Sequence, residues 1–191
     1  MHSVTPRNHS TASTRQRRFN AARLALALLL LTGCTTILPL NYSPSSGLSA
    51  TGSVRVAEFR YLPALNGKIK PNQIENTAWD DLYFDQEIGA FFRDAVVKEL
   101  GLVGVKTDSK SRTLTGEVRE FLIDDLGSNV DWTLRILYRV RSPDKMLYES
   151  ERITQRRTAK GGDPFKPMYE TIRLNIEETI KDQAFLKAIN E

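Results

Sequence analysis

The 191 residues carry 27 Lys and Arg against 23 Asp and Glu, a formal net charge of +4. The surplus sits at the start: residues 1–33 hold five arginines and no acid, and the rest carries 22 basic against 23 acidic groups, which gives no charge argument for nucleic acid. Both histidines (His2 and His9) lie there too, and Cys34 is the only cysteine. Residues 35–191 therefore lack the groups for Ser–His–Asp or Cys–His catalysis, imidazole acid–base chemistry, zinc sites of the usual ligand sets, haem ligation by His and internal disulfides.

The chain opens with Arg7, Arg15, Arg17, Arg18 and Arg23 ahead of the apolar run Leu24–Leu31. Eight apolar residues are too few to span a bilayer core, which needs about 20. A basic segment, a short apolar core and small residues behind it read as an export signal over residues 1–33. Its last residues, Leu31-Thr32-Gly33-Cys34, resemble the lipobox of bacterial lipoproteins. That resemblance implies a Cys34 joined by a thioether to diacylglycerol, freed by cleavage before its own amine and then N-acylated. In the same family an Asp directly after the cysteine retains the protein at the inner membrane; Thr35 stands here, which implies the outer membrane. A nucleophilic cysteine needs a base or a cationic neighbour, and none is near Cys34 in sequence.

Residues 34–52 ("CTTILPLNYSPSSGLSATG") are rich in Ser, Thr, Pro and Gly and read as the lipidated cysteine plus a flexible tether. Residues 53–191 are expected to form a single periplasmic domain. "SVRVAEFRYL" (53–62) alternates and predicts the first strand. Residues 63–80 read as an irregular connection. "FDQEIGAFFRDAVVKELG" (84–101) predicts a helix with the apolar stripe Ile88, Phe91, Phe92, Ala95, Val96 and Leu100, capped by Asp85 and closed by Gly101. Strands are predicted at 112–123, 130–140 and 146–157, joined by turns at "DDLGSN" and "RSPDK". In the middle one Val130, Trp132, Leu134, Ile136, Tyr138 and Val140 face one way, the pattern of an antiparallel sheet with one wet face. Residues 161–189 predict a closing helix started by Asp163 and Pro164, with Phe165, Met168, Ile172, Ile176 and Ile180 as its stripe. The expected fold is α+β: an antiparallel sheet of about four strands with two helices packed on one face.

Few residue groups suggest chemistry. "WDDLYFDQE" (79–87) places Asp80, Asp81, Asp85 and Glu87 beside Trp79 and Tyr83, the materials of a carboxylate-dependent glycan hydrolase, although a solvated loop and a helix cap account for the same residues. "DDLGSN" lacks the alternating oxygen ligands and terminal Glu of a calcium loop. The glycines form no phosphate-cradling loop, so no cofactor or metal is expected. Arg135, Arg139 and Arg141, with Arg119 on the neighbouring strand, are expected on the wet sheet face, where they offer a basic stripe to a phosphate-rich headgroup or an acidic partner. A solvated face that discourages edge pairing explains the same charges.

With the lipobox, "LTGEVREFLIDDLGSNVDWTLRILYRVRSPDKMLYES" and "DPFKPMYETIRLNIEETIKD", the chain resembles the YajG-type bacterial outer-membrane lipoproteins. Its layout is more distantly similar to auxiliary lipoproteins of ABC-type lipid transport and to the lipopolysaccharide-assembly lipoprotein LptE. The resemblance implies an envelope lipoprotein with no established reaction, hence no catalytic residues to assign. The expectation is a non-enzymatic protein anchored in the outer membrane through Cys34 and facing the periplasm. Its domain would bind an envelope protein or lipid component in envelope assembly or lipid transport. A cell-wall glycan hydrolase and a purely structural lipoprotein are the alternatives.

Overall fold

The computed structural model describes residues 37–78, 82–161, 163 and 165–190. The expected signal and Cys34 lie outside the described residues, as do Trp79, Asp80 and Asp81.

Strand β1 (Ile37–Leu38) leads into β2 (Arg55–Tyr61), a one-turn helix α1 (Leu62–Leu65), β3 (Glu75–Asn76) and β4 (Tyr83–Phe84). Then come α2 (Ile88–Val103), the three long strands β5 (Thr113–Asp124), β6 (Asn129–Arg141) and β7 (Met146–Ala159), and the helices α3 (Phe165–Ile180) and α4 (Gln183–Asn190). The class is α+β, as expected, and β5, β6 and β7 form the expected antiparallel meander.

The sheet itself differs from the expectation. It has five strands and is mixed: β2 pairs in parallel with the first half of β5, and β3 in parallel with its end. The physical reason is the connection. A strand that leaves through a long crossover containing a helix returns beside its starting strand in the same direction, whereas only the tight turns after β5 and β6 impose antiparallel pairing. A second, two-stranded parallel sheet joins β1 to β4.

The inner face of the sheet carries Leu114, Val118, Phe121, Ile123, Trp132, Leu134, Ile136, Tyr138 and Val140, all buried. Against it lie the stripes of α2 (Ile88, Phe91, Phe92, Ala95, Val96, Leu100) and of α3 (Met168, Ile172, Ile176, Ile180). Aromatic edges stitch the core: Phe92 on α2 meets Phe121 on the sheet at 5.2 Å between ring centroids, and within the sheet Phe59 meets Tyr138 at 6.0 Å. Tyr138 is fully enclosed, yet its hydroxyl donates to Asn175 Oδ1 on α3 at 2.9 Å. Asn175 in turn donates to Thr154 on β7 at 3.0 Å, so the buried polar groups between helix and sheet satisfy one another.

Helix boundaries moved for identifiable reasons. Helix α2 starts after Glu87 and ends at Gly104, whose φ of 101° is the left-handed value that closes a helix, so neither Asp85 nor Gly101 plays the expected part. The expected closing helix is two helices. Asp182 breaks it: its Oδ1 accepts from Ala184 N at 2.8 Å, capping α4. Asp163 does cap α3, accepting from Phe165 N at 2.9 Å.

The largest departure concerns residues 34–52. From Leu38 onward this segment is packed against the domain, with Leu40 and Tyr42 buried. It is a strap, not a slack tether.

Candidate functional site

The arginines singled out in the sequence do reach the outer sheet face, but not as a basic stripe. Arg139 on β6 pairs with Glu117 on β5 at 2.8 Å and with Glu149, its register partner on β7. Arg119 bonds Glu151 at 2.9 Å, and Arg135 lies 3.4 Å from Glu120. A bulge between Val118 and Glu120 turns Arg119 and Glu120 to the same side, which threads acids and bases through one another. The Arg139 guanidinium holds the Glu117 carboxyl below its ordinary range. Of the four, only Arg141, exposed at the end of β6, has no carboxylate within salt-bridge distance among the described residues. The face is a mixed-charge ladder, and Leu137 is buried beneath its side-chain stems.

The carboxylates "DD" and "FDQE" fare differently. Asp85 commits Oδ1 to the backbone N–H of Leu40 at 3.0 Å, and its own N–H donates to Leu38 O at 3.1 Å. Glu87 sits at the start of α2 without a side-chain cap bond. Asp85 thus fastens the strap.

The strap then follows α2 in the same direction. Gln86 Nε2 donates to Leu40 O at 3.0 Å, Lys98 Nζ to Tyr42 O at 2.9 Å, and Ala50 N to Val103 O at 2.8 Å. Tyr42 stands between the two long helices, edge-on to Phe91 on α2 (6.3 Å) and to Tyr169 on α3 (5.6 Å). Its hydroxyl donates to Glu99 Oε1. Glu99 is fully buried, and the backbone N–H groups of Ser45 and Ser46 complete its shell at 3.1 and 3.2 Å. Burial, and then the adjacent Glu99 carboxylate, push the Tyr42 hydroxyl far above the ordinary tyrosine range, so it stays a donor. A carboxylate in the core is costly unless its lone pairs are filled, and here the strap supplies all three donors.

Sequence reasoning passed over this latch, although a signal existed. Glu99 falls three residues after Val96 and four after Ala95, on the apolar stripe itself, where a carboxylate demands a buried partner.

At the end where the strap begins, a cleft of about 380 Å³ opens between β2, α1 and the first turn of α2. Phe59, Tyr61, Ala64, Leu65, Pro71 and Ala90 wall it, and Glu58, Arg60, Glu87 and Arg93 stand round it. It is shaped by a close approach: a methyl on Gly89 would stand 2.3 Å from the Phe59 carbonyl oxygen. The cleft and the strap's entry are structurally continuous. Phe84 N donates to Asn72 O at 2.8 Å, Ile88 N to Pro71 O at 2.9 Å, and Tyr83 and Phe84 pair with Ile37 and Leu38. A second cleft, of about 280 Å³, lies beside the start of α3 and includes Trp132, whose buried Nε1 has no acceptor among the described residues. No helix among the described residues is long and apolar enough to cross a membrane.

No family model matches the chain, and neither does any curated protein. Among solved structures it is similar to the Xanthomonas campestris protein XCC0632 of family DUF330, with a TM-score of 0.62 at 12% identity, over 80% of this chain and 96% of that one. It is also matched with the hypothetical protein CT253 from Chlamydia trachomatis (TM-score 0.45, 13% identity, 68% and 93% covered). A further match is lipoprotein GNA1162 from Neisseria meningitidis (TM-score 0.31, 11% identity, 66% and 98% covered). At these identities and scores, the comparison with XCC0632 establishes a shared fold, and the other two add nothing to it.

Proposed function

We propose that the chain is a non-enzymatic, lipid-anchored protein of the bacterial outer membrane, of the YajG type. Residues 1–33 are its signal, Cys34 carries the lipid, and the domain faces the periplasm, where it grips an envelope protein or lipid component during assembly or transport. The observation that carries this reading is the placing of Cys34. It directly follows a basic, then apolar, segment within a lipobox, and the first described strand starts three residues later at Ile37. Only Thr35 and Thr36 separate the cysteine from that strand in the sequence. Two or more acyl chains on one residue give the stable membrane attachment that a single chain does not.

Binding rather than bond-breaking is favoured by what residues 35–191 contain. They have no His or Cys, and Asp85, one of the two described carboxylates of the "WDDLYFDQE" group, is occupied in holding the strap. The arginine ladder balances its own charge, which turns attention from the sheet face to the clefts as the places for a ligand.

Labelling of growing cells with radioactive palmitate tests the anchor. Label is expected on the natural chain and absent from Cys34→Ser, with the variant moving from the membrane to the soluble fraction. A natural chain recovered unlabelled with a free thiol overturns the reading. Affinity capture of the lipidated protein, with mass spectrometry of bound proteins and lipids, then identifies what it grips.

A further inference from the structure

Resting on that reading, we infer that the domain does not float on its lipid but lies with one defined end against the bilayer. The surface around Ile37, Leu65 and the rim of the cleft between α1 and α2 is its membrane-contacting face. Three steps of chain separate Cys34 from Ile37, and a fully extended chain covers at most about 3.6 Å per step, so the first strand begins within about 11 Å of the anchored residue. That is no more than about twice the depth of one headgroup layer, about 5–7 Å. Slack cannot be recovered further along. Ile37 and Leu38 are paired with Tyr83 and Phe84, Leu40 is tied to Asp85 and Gln86, and Tyr42 is latched on Glu99.

The surface so presented suits a bilayer interface. Ile37 and Leu65 are two of the most exposed large apolar side chains among the described residues, at 62% and 59%. Arg60, Lys68, Lys70 and Arg93 are exposed around the same end, and Lys70 Nζ lies 4.6 Å from the centre of the Tyr83 ring, on the strand that pairs with β1. Glu58 and Glu87 stand among them and Arg93 pairs with Asp94 at 3.1 Å, so this end carries mixed charge, with long cationic side chains at its surface. Apolar tips between cationic side chains that reach to headgroup phosphates are the composition of an interfacial contact. Leu102 provides the contrast. It is 51% exposed at the other end of α2, 13 residues beyond Gly89 and so about 20 Å away along the helix.

The test uses the lipidated mature protein in vesicles of phosphatidylethanolamine and phosphatidylglycerol. With Cys34 acylated, a cysteine introduced by Leu65→Cys or by Leu102→Cys is the sole free thiol and takes an environment-sensitive fluorophore. Brominated phospholipid then quenches from within the bilayer, and iodide quenches from the water. The inference expects the label at 65 to lose most of its emission to brominated lipid and little to iodide, and the label at 102 to do the reverse. Iodide quenching at both sites, or equal lipid quenching at both, overturns it. A label at 65 shielded from iodide yet untouched by brominated lipid also overturns it, because a protein then covers that face. The mass of the Cys34 peptide is read on the same sample: an acylated peptide with an unquenched label sinks this inference alone, whereas an unacylated one sinks the anchor reading beneath it.

Discussion

Tyr42→Phe removes one oxygen from the latch and nothing else. The ring keeps its edge contacts with Phe91 and Tyr169, while the Glu99 carboxylate loses one of three donors and keeps the Ser45 and Ser46 amides. A hydrogen bond to a charged group contributes about 1.5–3 kcal/mol, and the surviving amides prevent the full penalty of an orphaned charge, so the expected cost is about 2 kcal/mol. For a domain of this size each kcal/mol lowers Tm by about 2–4 °C, giving a fall of about 4–8 °C. Urea unfolding with unchanged slope and a lowered midpoint would place the loss in stability and not in compactness. Amide exchange at Ser45, Ser46 and Ala50 should rise before exchange in β5 and β6, because the strap is released locally. A double-mutant cycle with Glu99→Gln isolates the pair and should return a coupling of at least about 0.5 kcal/mol. A Tm unchanged in Tyr42→Phe, or strap amides that exchange freely in the natural protein, would refute the latch.

Three further outcomes follow from local surroundings elsewhere. Glycine in a helix is usually about 1 kcal/mol worse than alanine, and Gly101→Ala, with nothing within 4 Å of the added methyl, should stabilise the domain by up to that amount. Gly89→Ala should do the opposite, since its methyl would stand 2.3 Å from the Phe59 carbonyl, and thermal melts of the two variants must shift in opposite directions. Asp182 offers a pH prediction: burial pushes its carboxyl up, but the Ala184 N–H, the Tyr148 hydroxyl and Arg152 outweigh it and hold it below its ordinary value. A depressed carboxyl stabilises the fold above the unfolded-state pKa of about 3.9 and loses that contribution as pH falls through the folded value. Asp182→Asn should therefore be less stable than the natural chain at pH 7, with the gap in urea midpoint closing as pH drops below that range; a gap independent of pH would contradict the assignment.

The meander was legible because period-2 alternation over 11 or more residues fixes both strand and face, and the hairpin turns fix direction. The parallel edge was not legible from β2 alone: alternation in "SVRVAEFRYL" says half-buried and is silent on orientation. Only the long helical crossover to β5 carries that information. The arginine ladder failed for a different reason. Glu117 and Glu120 lie on β5 with Arg119, and Glu149 and Glu151 on β7; strand register, together with the bulge after Val118, decides which of them meets Arg119, Arg135 and Arg139. Register is a tertiary property, so the charges of one strand could not be summed correctly in isolation. The strap was misread because Ser, Pro and Gly dominate its composition, although Leu38, Leu40 and Tyr42 alternate within it and Glu99 waits on α2 for a donor.

The strap changes what a lipid anchor at Cys34 would mean mechanically. A tether of about 18 flexible residues would have a root-mean-square reach of roughly 20–25 Å and would let the domain sample most orientations above the bilayer. Fastening that length along α2 removes the freedom, because Tyr42 of the strap is held between two helices that themselves grip the sheet through Phe92, Phe121, Asn175 and Tyr138. Pull on the lipid would then reach the core through the Asp85, Gln86 and Glu99 bonds and not through a coil. Under that arrangement the β6–β7 turn and the far end of α2 point away from the anchored end, as β6 and α2 both run from that end toward them. A partner approaching from the periplasm would meet this distal end in a fixed pose, without the entropy of orienting a mobile domain. Loosening the latch should weaken such a partner's grip even with every contact residue intact.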